Sequence, residues 1–121
     1  MGKTIMLIDD SATLREVLGT TLKKTGYTVI EAKDGKDALS KLTGKIHLMI
    51  CDVNMPNMDG IEFLKEIKKN ATYKFTPIIM LTTESQETKK QEGKEAGAKA
   101  WLVKPFKPDV LLSAIEKLIL P

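Results

Sequence analysis

The chain has 121 residues and a mass of 13.4 kDa, enough to bury one core without disulfide or metal staples. Hydrophobic residues make up 42% and charged residues 29%, which excludes a disordered or collagen-like chain. The formal net charge is +3, but Lys and Arg are spread along the chain without a basic block or a nucleic-acid motif. Lysines solvating outer helix faces are therefore expected, with neither nucleic acid nor membrane as partner.

In chain order, Met1-Gly2-Lys3 leads into an apolar run at 4–8, too short for a signal peptide or a membrane span. This run reads as the first strand and closes on Asp9-Asp10. Ser11 is a plausible N-cap for a first helix carrying Leu14, Val17, Leu18, Thr21 and Leu22 at helical spacing, with Gly26 just past its end. Further strands are read at 27–32, 47–51, 77–82 and 100–103, giving five βα units. The runs Ile5-Met6-Leu7-Ile8, Leu48-Met49-Ile50-Cys51 and Ile78-Ile79-Met80-Leu81 are continuously apolar rather than alternating. Strands of that kind are covered on both faces, so a parallel sheet between helices is predicted, an α/β fold. The fourth helix is expected within 84–95, a stretch without one large apolar side chain. Gly93 adds roughly 0.8–1 kcal/mol of helix penalty there relative to Ala. The last helix begins with Pro108 near its first turn and carries Val110, Leu111, Ala114, Ile115, Leu118 and Ile119 along one stripe. There is no repeat, low-complexity stretch or Gly/Ser/Pro-rich linker, so one domain over 1–121 is expected and its output must come from contact with another molecule.

Right-handed crossovers in an open α/β sheet put all strand carboxyl ends along one edge, where ligands bind. That edge receives Asp9 and Asp10, then Asp52, Thr82 and Lys104. Three carboxylates together repel and raise at least one pKa unless a cation compensates. Mg²⁺ suits them, because it prefers octahedral oxygen coordination and keeps waters and a phosphate oxygen among its ligands. Three carboxylates against a divalent ion and Lys104 sum to zero charge, which leaves a neutral pocket for an incoming phosphoryl group. Asp52 can then act as nucleophile, with Thr82 donating its hydroxyl and Lys104 pairing with phosphate oxygens. Separately, Asp9-Asp10 could cap the first helix, Asp52 could be a turn residue, and Lys104 could be a solvated lysine. The conjunction of all of them at independent strand ends favours the site.

Four motifs carry a resemblance over the full length: Asp9-Asp10; Cys51-Asp52-Val53-Asn54-Met55-Pro56-Asn57-Met58-Asp59-Gly60; Leu81-Thr82-Thr83; and Val103-Lys104-Pro105-Phe106. Together they resemble a response-regulator receiver domain of the CheY-like, chemotaxis type. The resemblance implies a flavodoxin-like (CheY-like) sheet in the order 2-1-3-4-5 with five helices on its two faces. It implies that Asp52 becomes a 4-aspartylphosphate, phosphorylated by a partner histidine kinase with Mg²⁺, or Mn²⁺ in its place. The metal would be held by Asp9, Asp10, Asp52 and the Asn54 backbone carbonyl. Asn54 and Glu84 would flank the attacking water and set the phosphoryl lifetime. Thr82 would be the switch hydroxyl, and Trp101 stands where the family usually has Tyr or Phe. The Lys104-Pro105 bond is expected to be cis. Phosphorylation would switch the surface formed by the fourth and fifth helices and fifth strand toward a target such as a flagellar switch component or a phosphatase. A phosphorelay intermediate or a phosphate sink are alternatives within signalling. The chain would be a signalling phosphoacceptor rather than an enzyme, and a monomer.

Other features are discounted. Asp52-Val53-Asn54 resembles the start of an EF-hand loop, but Pro56, Asn57 and Phe63 break the pattern at its fifth, sixth and twelfth positions, so Ca²⁺ sensing is rejected. His47 is the only histidine, at the start of a strand, and is not read as a phosphocarrier or metal ligand. Cys51 is the only cysteine, so no intramolecular disulfide or thiolate cage forms and a cytoplasmic location is expected. It should face opposite to Asp52 and pack in the core. A phosphatase of haloacid-dehalogenase type also passes through an aspartyl-phosphate, but that family has a second Asp two residues after the nucleophile, where Asn54 stands here.

Overall fold

The computed structural model describes the backbone of residues 2–82 and 87–121 and the side chains of 2–82 and 91–121. Strands and helices alternate: β1 (Thr4–Ile8), α1 (Ala12–Lys24), β2 (Thr28–Ala32), α2 (Gly35–Ser40), β3 (Leu48–Asp52), α3 (Gly60–Lys68), β4 (Ile78–Thr82), α4 (Glu87–Ala96), β5 (Ala100–Val103) and α5 (Pro108–Leu118). The five strands are parallel, in the order β2-β1-β3-β4-β5. Strand assignment from apolar runs was right for all five and off by one residue at some ends. β3 reaches Asp52 because that residue still pairs, opposite Leu81. No described helix is long and apolar enough to cross a membrane.

The central strands bury both faces, as their continuous apolar runs require. Met6, Ile8, Met49, Cys51, Ile78 and Met80 join Phe63, Leu64 and Ile67 of α3 on one side. Ile5, Leu7, Leu48, Ile50, Ile79 and Leu81 meet Leu18 and Leu22 of α1 and Leu111 and Ile115 of α5 on the other. Alternation therefore turns Cys51 into the α3 side and Asp52 away from it, as expected. Burial pushes the Cys51 thiol well up, which makes it an inert core residue.

Helix ends follow the expected caps. Ser11 Oγ accepts the Leu14 amide at 3.2 Å to start α1. Gly26, at φ 106°, ends it, with its own amide donating to the Lys23 carbonyl and that of Tyr27 to the Leu22 carbonyl. This is the left-handed stop that glycine favours. Two members of the predicted apolar stripes are corrected: Val17 of α1 is 57% exposed and Val110 of α5 is 48% exposed. Each lies at the edge of its stripe, and only the stripe's centre reaches the sheet.

The lysines are also less dispersed than the chain order implies. Lys3, Lys45, Lys74 and Lys99 each shortly precede a parallel strand, and Lys23, Lys24, Lys68, Lys69 and Lys117 lie at or just past the carboxyl ends of helices. Parallel topology sends all of these to the edge opposite Asp9, Asp10 and Asp52.

Candidate functional site

The acidic edge is assembled from three strand ends. β1 delivers Asp9, 0% exposed, and the following residue, Asp10, is exposed. Asp9 is held from several sides. The Ser11 amide donates to Oδ1 at 2.9 Å, Arg15 donates to its backbone carbonyl at 2.6 Å, and the Asp9 amide donates to the Ala32 carbonyl at 3.0 Å. Arg15 is itself oriented by Glu31 at 3.4 Å. Sequence reasoning missed Arg15, because a lone arginine in a first helical turn carries no motif.

Asp52 ends β3 at 5% exposure. Lys104, just past β5, places Nζ 3.0 Å from Asp9 Oδ2 and 3.5 Å from Asp52 Oδ2. The Lys104-Pro105 bond is cis, as the resemblance implied. Burial pushes the Asp52 carboxyl up to about 6, and Asp9 adds to the rise; Lys104 pulls it back, and Asp10 adds a smaller push upward.

Thr82 closes β4 at 0% exposure, one position beyond the residue paired with Asp52, and its carbonyl accepts the Lys104 amide at 2.6 Å. Asp9, Asp10, Asp52, Thr82 and Lys104 therefore share one edge. Asn54 is exposed on the loop that follows β3. Glu84 lies outside the described residues, as does Thr83.

The loop after Asp52 is built tightly. The Gly60 amide donates to the Val53 carbonyl and the Val53 amide to the Leu81 carbonyl, both at 2.8 Å. A Cβ on Gly60 would collide with the Asp52 carbonyl oxygen, so only glycine lets α3 start this close to the acceptor strand. Asp59 caps α3 by accepting the Glu62 amide at 2.9 Å.

One oxygen each from Asp9, Asp10 and Asp52 lie within 4.8 Å of one another. Oxygens on one Mg²⁺ sit about 3 Å apart when adjacent and about 4 Å apart when opposite. An all-oxygen, all-carboxylate donor set suits a hard divalent cation and not zinc or copper.

Trp101 projects from β5 toward the α3 side and packs, half-buried, against the core cluster there. Its six-membered ring occupies the place where a side chain on Gly93 of α4 would stand. Gly93 is thus a packing requirement as well as a weak point in the helix. The indole Nε1 is buried without a hydrogen-bond partner among the described residues.

A parallel 2-1-3-4-5 sheet with three carboxylates and a lysine at its carboxyl edge defines a class of signalling domain, and the chain belongs to it: the response regulator receiver domain family matches residues 5–116. Within that family its relatives are CheY-like. Protein PilG of Pseudomonas aeruginosa is 40% identical over 116 residues, covering 95% of this chain and 86% of PilG. Chemotaxis protein CheY1 of Helicobacter pylori is 36% identical over 115 residues, 93% of each chain. Among solved structures, chemotaxis protein CheY4 of Vibrio cholerae superposes with a TM-score of 0.92 at 45% identity, over 98% of this chain and 99% of that one. TrrA of Thermotoga maritima, solved in complex with Mg(2+)-BeF, superposes with a TM-score of 0.85 at 35% identity, over 96% and 98%.

Proposed function

We propose that this receiver takes a phosphoryl group on Asp52 from a histidine kinase and signals through a changed surface, in a chemotaxis-type pathway. The carrying observation is that one ammonium, Lys104, bridges Asp9 and Asp52 at 3.0 and 3.5 Å on a buried strand end. An Asp52 carboxylate oxygen attacks the phosphorus of phosphohistidine, the P–N bond breaks, and its electron pair stays on the imidazole. Hydrolysis reverses the gain: water attacks phosphorus, the P–O bond breaks, and carboxylate and inorganic phosphate remain. Asp9, Asp10, Asp52 and the Asn54 carbonyl would hold Mg²⁺ or Mn²⁺, which would supply positive charge to offset that on the transferring oxygens. Lys104 exchanges a carboxylate for a phosphoryl oxygen once Asp52 is modified, since the phosphoryl group carries more charge. Asn54 and Glu84 flank the attacking water and set the lifetime, so substituting either changes decay without preventing uptake.

Thr82 moves toward the phosphoryl group, and Trp101 follows into the space. α4 then shifts against α5 and exposes a face for a downstream target, such as a flagellar switch component or a phosphatase. Trp101 replaces the family's usual Tyr or Phe and already packs on Gly93, so its fluorescence reports this step directly.

Acetyl phosphate with Mg²⁺ should label the wild-type chain once, as an acid-stable, hydroxylamine-labile phosphoryl group. Asp52→Asn should abolish the label; retention of it would remove Asp52 as the acceptor. Beryllofluoride with Mg²⁺ should change Trp101 emission. If emission and amide exchange across residues 84–101 both stay unaltered, the signalling face lies elsewhere. Steady turnover of a simple phosphate monoester would instead favour a phosphatase.

A further inference from the structure

Asp34 is a carboxylate at 4% exposure that stands outside the acceptor site, and both of its oxygens are used. Oδ1 accepts the Asp37 amide at 2.8 Å and so caps α2. Oδ2 accepts the side-chain amide of Asn57 at 2.9 Å, across 23 residues of chain. Asn57 has φ 69°, in the left-handed region that asparagine tolerates better than most residues. Beside this pair the Gly35 amide donates to the Met58 carbonyl at 3.3 Å, and a Cβ on Gly35 would run into the Met58 side chain. The start of α2 is thus fastened to Asn57 and Met58 of the loop between β3 and α3.

The same loop is fastened at its beginning, where the Val53 amide and carbonyl bond to Leu81 and Gly60 at 2.8 Å. Asn54, Met55 and Pro56 therefore form a short span held at both ends. Mg²⁺ tolerates little departure from octahedral geometry, so a backbone carbonyl binds it most tightly when its position is set in advance. A span anchored at one end alone must be ordered when the ion arrives, and affinity falls accordingly.

We propose that Asp34 and Asn57 are positioning residues for the metal site. Their hydrogen bond clamps the 54–56 span, and with it the Asn54 carbonyl, in the arrangement that the ion requires. This rests on the reading of Asp52 as a metal-assisted acceptor. It also couples the acceptor loop to the N-terminus of α2, because one carboxylate serves both.

The test is Mg²⁺ titration by calorimetry, with thermal unfolding and amide exchange measured on the metal-free protein. Asn57→Gly keeps the left-handed backbone and removes the amide. Asp34→Ser keeps an acceptor for the Asp37 amide and is too short to reach the Asn57 amide. Each should weaken Mg²⁺ binding about tenfold, the lower end of what supporting residues around metal ligands typically contribute. Exchange across residues 53–58 should rise, while the melting temperature moves only a few degrees. The double variant with Asp34→Asn and Asn57→Asp rebuilds the pair in reverse at unchanged net charge, and should recover most of the lost affinity. A general loss of stability would not be repaired by that swap. Wild-type binding with no loss in Asn57→Gly overturns the clamp alone, as does a swap that recovers nothing. Wild-type protein that takes up no Mg²⁺ overturns the acceptor-site reading and the clamp with it.

Discussion

Asp52 holds its charge in surroundings that disfavour it. Its carboxyl is raised from 3.8 to about 6 by burial first and by Asp9 next, so folding favours the protonated form. Below about pH 4 the group is protonated in both folded and unfolded chains, and its contribution to stability is complete. Between about pH 4 and 6 the unfolded chain ionises ahead of the folded one, and stability is lost as pH rises; above 6 the loss is complete. Asp52→Asn should therefore stabilise the metal-free protein at pH 8 by on the order of 1–2 kcal/mol, after allowance for solvent screening, with the difference vanishing near pH 4. Urea denaturation in the presence of EDTA measures both limits, and equal stability at pH 8 would contradict the argument. Asp10→Ala is the complementary case: it removes an exposed oxygen donor and leaves the acceptor, so Mg²⁺ affinity should fall while Asp52 stays modifiable at higher metal concentration.

Among the elements, α4 has the least to bury. Gly93 is the only buried position among its described side chains, and the ion pair to α3 among the described residues, Lys65 to Glu92, is a long 3.9 Å. Helices gain most of their stability from packing an apolar stripe, so amide exchange in α4 should be the fastest of the five helices. Propensity alone says that Gly93→Ala should gain up to about 1 kcal/mol. The Trp101 ring reverses that sign, because an added Cβ falls inside it. Gly93→Ala should lower the melting temperature, at a cost of about 1–3 kcal/mol typical of overpacking, and shift Trp101 emission as the ring is displaced. An increase in stability with unchanged emission would show that the ring and helix are not in contact.

For the whole molecule, charge is divided between the two sheet edges. Lys3, Lys45, Lys74 and Lys99 gather opposite the carboxylates, and no described acid forms an ion pair with any of them. Their crowding is felt by neighbours. The His47 imidazole is held down by burial and then by Lys45 and Lys3, and the Lys68 ammonium by burial and then by Lys99. Unpaired like charges within about 10 Å repel at low ionic strength and are screened at physiological salt. Raising sodium chloride from about 10 to about 200 mM should increase the melting temperature by a degree or two, and Lys45→Glu should blunt that dependence. A melting temperature that falls with salt would mean that the exposed ion pairs outweigh this repulsion.

Run length and period are local properties, and they were enough to place five strands between helices and to put Asp9, Asp10, Asp52, Thr82 and Lys104 at the carboxyl edge. The Ser11 cap and the Gly26 stop were legible for the same reason, since capping chemistry acts over three or four residues. The sheet order came from resemblance, because apolar runs do not say which strands are neighbours. Other matters depended on residues far apart in the chain. Of two adjacent aspartates, Asp9 is buried and Asp10 exposed. His47, dismissed as unremarkable, accepts the Thr4 amide at 3.0 Å and ties β3's start to β1's. Asp34 meets Asn57 across 23 residues, and Gly93 makes room for Trp101. Lysines dispersed in sequence converge on one edge because parallel strands all begin there. Each of these outcomes is set by which distant side chains share a volume, and only the packed sheet and its helices determine that.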